Sequence, residues 1–469
     1  MDQNGTRHVY AVRSFEGSLR VHATKMSSLL ASEPEGRLDE STFISVGCWN
    51  PELGFQWMKR INNPEDFVSV AVEEEVWSVQ ALAFVSPGVP RSLRMETFQG
   101  DARPGVIYGV IVDAGSTGTR VNVGRFDIQR DGQLKLKKFK FVEIGEGLTT
   151  ATDLDSLLNE LLCVAKEEVP DEFIESTQIY VGATAGLRLV GEERSNVLLD
   201  RCRAALRKSG FTFEDHFVFI MEGVDEGVFA WATVNELLLA NGNVGTVDLG
   251  GASVQVTFAV NDRKTATRVI RAGGNRIPVA SHSHLGYGLK EFRNKLYHKL
   301  YQSGDLSSNP CLERGNAQIV EIGANLESHE TVGNGDFEAC VELMVSAFDF
   351  RLSGSGDVCK PEENRCFLQG VDKPPPTGKF IAFAYFYDTV VGKAGLTSTA
   401  SLSEIYERGI LACSAMHDPC PCGDLAYVYV LLKYGLKLES EEIELHFQQH
   451  IDGKMIGWAV GALLDYLQR

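Results

Sequence analysis

Apolar runs alternate with polar breaks along most of this chain, and their spacing predicts strands interleaved with helices. Strand-forming runs cover residues 107–112, 121–126, 139–144 and 179–182, and stretches at helical spacing cover 154–168 and 192–209. A further run, 254–260, predicts an amphipathic strand. Behind the acidic turn at Glu222-Gly223-Val224-Asp225-Glu226, apolar positions recur near every 3.6 residues to Leu238, which predicts a helix with a carboxylate at its mouth. The alternation reads as α/β, and 469 residues suffice for at least two cores.

Two of the predicted strands run into the same chemistry. Val112-Asp113-Ala114-Gly115-Ser116-Thr117-Gly118-Thr119-Arg120 and Val247-Asp248-Leu249-Gly250-Gly251-Ala252-Ser253-Val254-Gln255 each set an Asp at a strand end, ahead of small residues. Small residues let the backbone bend tightly and aim successive N–H groups at an anion. An Asp beside a phosphate is repelled unless a divalent cation lies between them, so the duplicated Asp argues for Mg²⁺ or Ca²⁺ as much as for phosphate. Taken singly, either loop reads equally well as an ordinary hairpin turn. Between them Val181-Gly182-Ala183-Thr184-Ala185-Gly186-Leu187-Arg188 again runs from strand into small residues.

These segments, in this order, resemble those of the nucleoside triphosphate diphosphohydrolase family, the ecto-apyrases and Golgi nucleoside diphosphatases. A fifth segment, Ile456-Gly457-Trp458-Ala459-Val460-Gly461-Ala462, matches near the end, and the similarity runs from about Val106 to Arg469. The resemblance implies the α/β, two-lobed fold of actin, heat-shock ATPases and sugar kinases, its ribonuclease H-like lobes duplicated around a nucleotide cleft. The expected division is an N-terminal extension (1–105), lobe I (106–242), lobe II (243–452) and a final helix (453–469) returning to lobe I. The break Asn241-Gly242-Asn243 marks the change of lobe.

The resemblance also implies roles. Glu226 would be the general base, with Ser253 and Gln255 orienting the attacking water. Asp113 and Asp248 would hold Mg²⁺ or Ca²⁺ through its water shell, helped by Thr184 and Trp458. Ser116, Thr117, Gly118, Gly250, Gly251 and Ala252 would donate to phosphate oxygens. Arg120 and Arg188 would either clamp phosphate or pair with a local carboxylate. Tyr387, in the aromatic segment Phe383-Ala384-Tyr385-Phe386-Tyr387-Asp388, would stack on the base. The likeness leans towards the soluble diphosphatase and plant-type apyrase branch, hence towards terminal-phosphate removal from nucleoside diphosphates, with general apyrase action as the alternative. Departures from the usual residues are Val254, Glu236, His284 and Gly423, none of them assigned to catalysis.

Seven of the ten cysteines fall between Cys311 and Cys422. Family positions imply pairs Cys311–Cys340 and Cys359–Cys366, with Cys413 joined to Cys420 or Cys422; sequence leaves the connectivity open. A zinc reading of Cys420-Pro421-Cys422 lacks a second ligand pair at the usual spacing. Disulfides imply secretion or an endomembrane lumen, yet residues 1–45 show no secretory signal, and the apolar run 76–85 is too short to span a bilayer. One sequon, Asn4-Gly5-Thr6, and apolar pieces at 67–72 and 76–85 lie in an extension whose role the sequence does not specify. A net charge of −18 excludes nonspecific nucleic-acid binding, which depends on basic side chains. Two rivals remain: an exopolyphosphatase of similar fold, and a catalytically silent nucleotide-binding module, against which the Glu226, Ser253 and Gln255 set argues.

Overall fold

The computed structural model describes residues 105–468 with breaks at 116–117, 146, 241, 273–274, 324–325, 364 and 416–420, together with four strands nearer the N-terminus. Residues 1–103 and 104–468 form separate compact units. In the first, β1 (Ala11–Phe15) pairs with β2 (Ser18–His22), and β3 (Ile44–Asn50) with β4 (Gly54–Ile61), as antiparallel hairpins. The sequon and both apolar pieces lie outside the described residues.

Lobe I is built on β5 (Val106–Ala114), β6 (Thr119–Ile128), β7 (Leu134–Ile144), β8 (Gln178–Ala183) and β9 (Val218–Ile220). Their order is β7-β6-β5-β8-β9, antiparallel up to β5 and parallel beyond it. The helices are α1 (Leu154–Glu168), α2 (Asp171–Ile174), α3 (Ala185–Leu189), α4 (Glu192–Leu206) and α5 (Gly223–Leu237). The start of α1 follows from its sequence: the Asp153 carboxylate accepts from the N–H groups of Asp155 and Ser156, and Leu154, Leu157, Leu158, Leu161 and Ala165 make one buried stripe. α4 ends at Leu206, short of the predicted 209, where Ser209 Oγ donates to the Leu206 carbonyl and Gly210 turns at φ +88°.

Lobe II repeats the plan with β10 (Gly245–Leu249), β11 (Ser253–Ala259), β12 (Arg268–Ala272) and β13 (Asn275–Leu285), then α6 (Leu289–Ser303). Next come the hairpin β14 (Ala317–Ile322) and β15 (Glu327–Val332), α7 (Phe337–Ala347), and the hairpin β16 (Phe350–Leu352) and β17 (Cys366–Leu368). β18 (Gly378–Ala384), the single turn α8 (Tyr385–Tyr387), α9 (Leu402–Ser414), α10 (Cys422–Val430) and β19 (Ile443–Phe447) complete it. The sheet order is β12-β13-β11-β10-β18-β19, so both lobes carry a hairpin at the centre and two parallel strands beyond it. The strand predicted as amphipathic at 254–260 is instead buried on both faces along β11, because α5 covers one face and the lobe II core the other. Disulfides join Cys311–Cys340, Cys359–Cys366 and Cys413–Cys422; Cys420 lies outside the described residues.

After the short hairpin β20 (His450–Ile451) and β21 (Lys454–Met455), α11 (Ala459–Tyr466) crosses back onto α5, β5 and β6. The Gly461 N–H donates to Thr233 Oγ1 on α5 at 2.9 Å, and Tyr466 packs against Tyr180 and Phe229 with ring centres 5.0 and 5.5 Å away.

Candidate active site

A cavity of about 350 Å³ opens between the two sheets. Asp113, at the end of β5, and Asp248, near the end of β10, both line it. Thr184, Arg120, Glu226, Gly250, Gly251, Ala252, Ser253 and Trp458 line it as well. Gly118, Arg188 and Gln255 do not line it, although Arg188 and Gln255 bond to Glu226, and Ser116 and Thr117 lie outside the described residues.

The two hairpin loops are closed alike. Gly115 N–H donates to the Gly118 carbonyl at 3.0 Å, and Gly250 N–H to the Ser253 carbonyl at 3.0 Å. In lobe II the loop is also strapped to the start of α6. The Gly250 carbonyl accepts from Leu289, that of Gly251 from Lys290 and Glu291, and that of Ala252 from Gly286. Gly288 makes this possible, since a Cβ there would lie 2.2 Å from Ala252 N. With the carbonyls drawn away, the N–H groups of Gly251 and Ala252 donate to no backbone acceptor among the described residues. Unpaired loop amides at a cavity wall are the elements of an anion-binding concavity.

Burial raises the pKa of Asp113, with Arg120 and the Trp458 indole opposing. Asp248 is pushed to about 7, first by burial and then by the charge of Asp113. Asp113 Oδ1 and Trp458 Nε1 are buried without a hydrogen-bond partner of good geometry. Two hard oxygen donors that repel each other, beside orphaned polar atoms, fit a hydrated divalent cation. Among the described residues no three His, Cys, Asp or Glu side chains cluster as a metal site.

Glu226 enters from the first turn of α5 and is 8 % exposed. Its Oε2 accepts from Arg188 Nη2 at 2.6 Å and from Gln255 Nε2 at 3.3 Å, leaving Oε1 without a donor among the described residues. Burial raises its pKa to about 8, with Arg188 opposing and the charges of Asp248 and Asp113 adding. Gln255 Nε2 also donates to Ser253 Oγ at 2.7 Å and Ser283 Oγ at 3.0 Å, so the amide ties Ser253 to Glu226 from behind. Arg120 is held by Glu143 at 2.6 Å and lies 3.8 Å from Asp113.

At the outer end Phe139, Phe141, Tyr385, Gln449 and Met455 line the cavity. Tyr387 does not; it packs on the lobe II core beside the fully buried Phe386. Ala384, a non-glycine residue at φ +55°, bends β18 into this wall and donates its N–H to Gln449 Oε1 at 2.9 Å. Phe139, Phe141 and Glu143 had no assigned role, although their period-two spacing along β7 puts them on one face. Ser283 lies in a segment, 282–290, that resembles the family but had no role of its own, and Gln449 carries no local signal.

A repeated sheet plan, with an acidic hairpin from each half facing a common cleft, defines the actin-like two-lobed fold. Residues 103–469 match the GDA1/CD39 (nucleoside phosphatase) family, and the chain belongs to it. It is similar to the human nucleoside diphosphate phosphatase ENTPD5, at 31% identity over 77% of this chain and 88% of that protein. A guanosine-diphosphatase of Schizosaccharomyces pombe is 31% identical over 78% of this chain and 75% of its own length. Among solved structures, a nucleoside triphosphate hydrolase from Neospora caninum superposes with a TM-score of 0.57 at 15% identity, covering 77% of this chain and 92% of that one.

Proposed function

We propose that this protein hydrolyses the terminal phosphate of nucleoside diphosphates, using a divalent cation and a water activated by Glu226. The observation that carries the reading is the buried Glu226 carboxylate with its free Oε1 at the cavity wall, between two facing Asp side chains and a loop with free amides. The names of the similar proteins, diphosphatases from human and fission yeast, support the diphosphate preference.

In this reading Asp113 and Asp248, with Thr184 and Trp458 beside them, would hold a hydrated Mg²⁺ or Ca²⁺. A cation held there would supply charge neutralisation for these carboxylates and for the phosphate oxygens, and so weaken what keeps Glu226 protonated. The amides of Gly251 and Ala252 take the terminal phosphate oxygens, and Arg120 adds positive charge opposite them. Glu226 Oε1 accepts a proton from water lying between it and the phosphorus, while the Arg188 ion pair favours the ionised carboxylate. Ser253 orients that water directly, and Gln255 acts from behind by fixing Ser253 against Glu226. Phosphoryl transfer asks chiefly for such positioning and charge neutralisation. Ser116 and Thr117 remain candidate donors, and Tyr385, which faces the cavity, joins Tyr387 as a candidate partner for the base. The three disulfides support folding in an oxidising compartment, secreted or luminal. No helix among the described residues is long and apolar enough to cross a membrane.

The test is phosphate release from UDP, GDP, ADP, ATP and polyphosphate, with Mg²⁺ or Ca²⁺ and with chelator, comparing the chain with Glu226→Gln. The expected result is cation-dependent release from diphosphates that falls roughly 10²- to 10⁴-fold in the variant. Equal ATP cleavage would make the enzyme a general apyrase, and preference for polyphosphate would favour the other rival. Tight nucleotide binding without release would leave only a binding module.

A further inference from the structure

The sheet of lobe II carries one more polar side chain into the wall behind Glu226. β13 pairs antiparallel with β11 so that Ser283 lies directly across from Gln255. Ser281, two residues earlier and on the same face, donates from Oγ to the Val224 carbonyl at 3.1 Å and shares a 2.7 Å hydrogen bond with Thr257 Oγ1. β13 thus braces the first turn of α5, the turn that carries Glu226. Gly223 closes the gap: a Cβ there would lie 2.3 Å from Ser283 Oγ and 2.4 Å from Arg188 Nη1. Helix, serine and arginine are in van der Waals contact at that point, so the hydroxyl has little room to swing.

Building on the hydrolase reading above, we propose that Ser283 is a positioning residue for water activation, acting through Gln255. The Gln255 amide nitrogen has two hydrogens and three acceptors, Ser253 Oγ at 2.7 Å, Ser283 Oγ at 3.0 Å and Glu226 Oε2 at 3.3 Å. The two short bonds fix the plane of the amide, and the third then falls on the carboxylate. A reversed amide would turn its oxygen onto Glu226 and Ser253, where the carboxylate repels it. Ser283 favours the nitrogen-inward arrangement and keeps the spacing of Ser253 and Glu226 constant. It touches neither the cavity nor substrate, so its effect belongs to turnover and not to binding.

The experiment is a double-mutant cycle on phosphate release with Ser283→Ala, Gln255→Ala and the pair, using UDP and Mg²⁺ and with Glu226→Gln as control. Ser283→Ala is expected to lower kcat about three- to tenfold, the range of one internal hydrogen bond, with KM within about twofold. In the Gln255→Ala background the same change is expected to lower kcat no further, because its route of action is gone. Additive losses, a rise in KM without a fall in kcat, or a wild-type rate would overturn the proposal. Should Ser283→Ala not fold, Ser283→Cys, which keeps the side chain with a weaker acceptor, carries the same comparison. Absence of release by the wild-type chain, or an unaffected Glu226→Gln, would overturn the hydrolase reading and this inference together. Normal behaviour of both with an inert Ser283 would overturn this inference alone.

Discussion

The two lobes build the same three-strand row beside the cleft, open it with the same residue and finish it with different chemistry. In lobe I the row reads Asp113, Arg120 and Glu143 across β5, β6 and β7. In lobe II it reads Asp248, Gln255 and Ser283 across β10, β11 and β13. The loop bonds match too, Gly115 to Gly118 and Gly250 to Ser253, both at 3.0 Å. The backbone register fixes where three side chains stand; both rows open on an Asp, and the second and third positions are ionic in lobe I and neutral in lobe II. In the proposed mechanism Arg120 of lobe I meets the charged ligand, and Gln255 and Ser283 of lobe II hold the base and its water in place. A charged group in place of Gln255 or Ser283 would compete with water for Glu226, and an amide in place of Arg120 would give up attraction for phosphate.

The sharpest way to break this contrast is to truncate the middle residue of each row. Gln255→Ala is expected to lower kcat about a hundredfold with little change in KM, whereas Arg120→Ala should raise KM about tenfold with a smaller loss in kcat. Steady-state kinetics on a diphosphate read both, and the same pattern from both variants would erase the division. A second test uses acidity. Glu226 and Asp248 have folded pKa values of about 8 and about 7, above their ordinary 4.5 and 3.8. The stability these carboxyls contribute is therefore complete below pH 4 and lost as pH rises through 7 and 8. Without cation, Tm should fall a few degrees more between pH 5 and 8 in the native chain than in Asp248→Asn, and Mg²⁺ should shrink that difference. The smallest expected effect concerns the loops. A Cβ on Gly115 would lie 2.4 Å from Arg120 Nη1, and one on Gly250 no closer than 3.4 Å to the Ser253 carbonyl. Gly115→Ala should thus raise KM severalfold by displacing the guanidinium, and Gly250→Ala should change it less than twofold.

Much of the frame was legible in sequence because it depends on local pattern. The α1 stripe of Leu154, Leu157, Leu158 and Leu161 and the two Asp-bearing strand ends are encoded within a dozen residues each. The three disulfide pairs match the family positions, and the structure selects Cys422 over Cys420 for Cys413. What escaped depends on contacts across strands. Ser283 stands opposite Gln255 only once β13 has paired with β11, and its own segment gives it no role. Likewise the aromatic segment 383–388 is a recognisable motif, but which ring faces the cleft is decided by the bend at Ala384, a non-glycine at positive φ that no local rule anticipates. The burial of β11 on both faces has the same origin, since α5, which covers it, precedes it in the chain and returns across the sheet.

The crossing of α11 onto α5, β5 and β6 also governs how the molecule is made. The first sheet of the catalytic body emerges from the ribosome early, but the helix that covers part of it follows all of lobe II. Until Trp458 and Leu463 arrive, the apolar face formed by Ile111, Phe126 and Phe229 has no lid, while the disulfide-bearing half can already close on itself. Lobe I is therefore completed only after lobe II has been made, by the helix that ties β5 to α5.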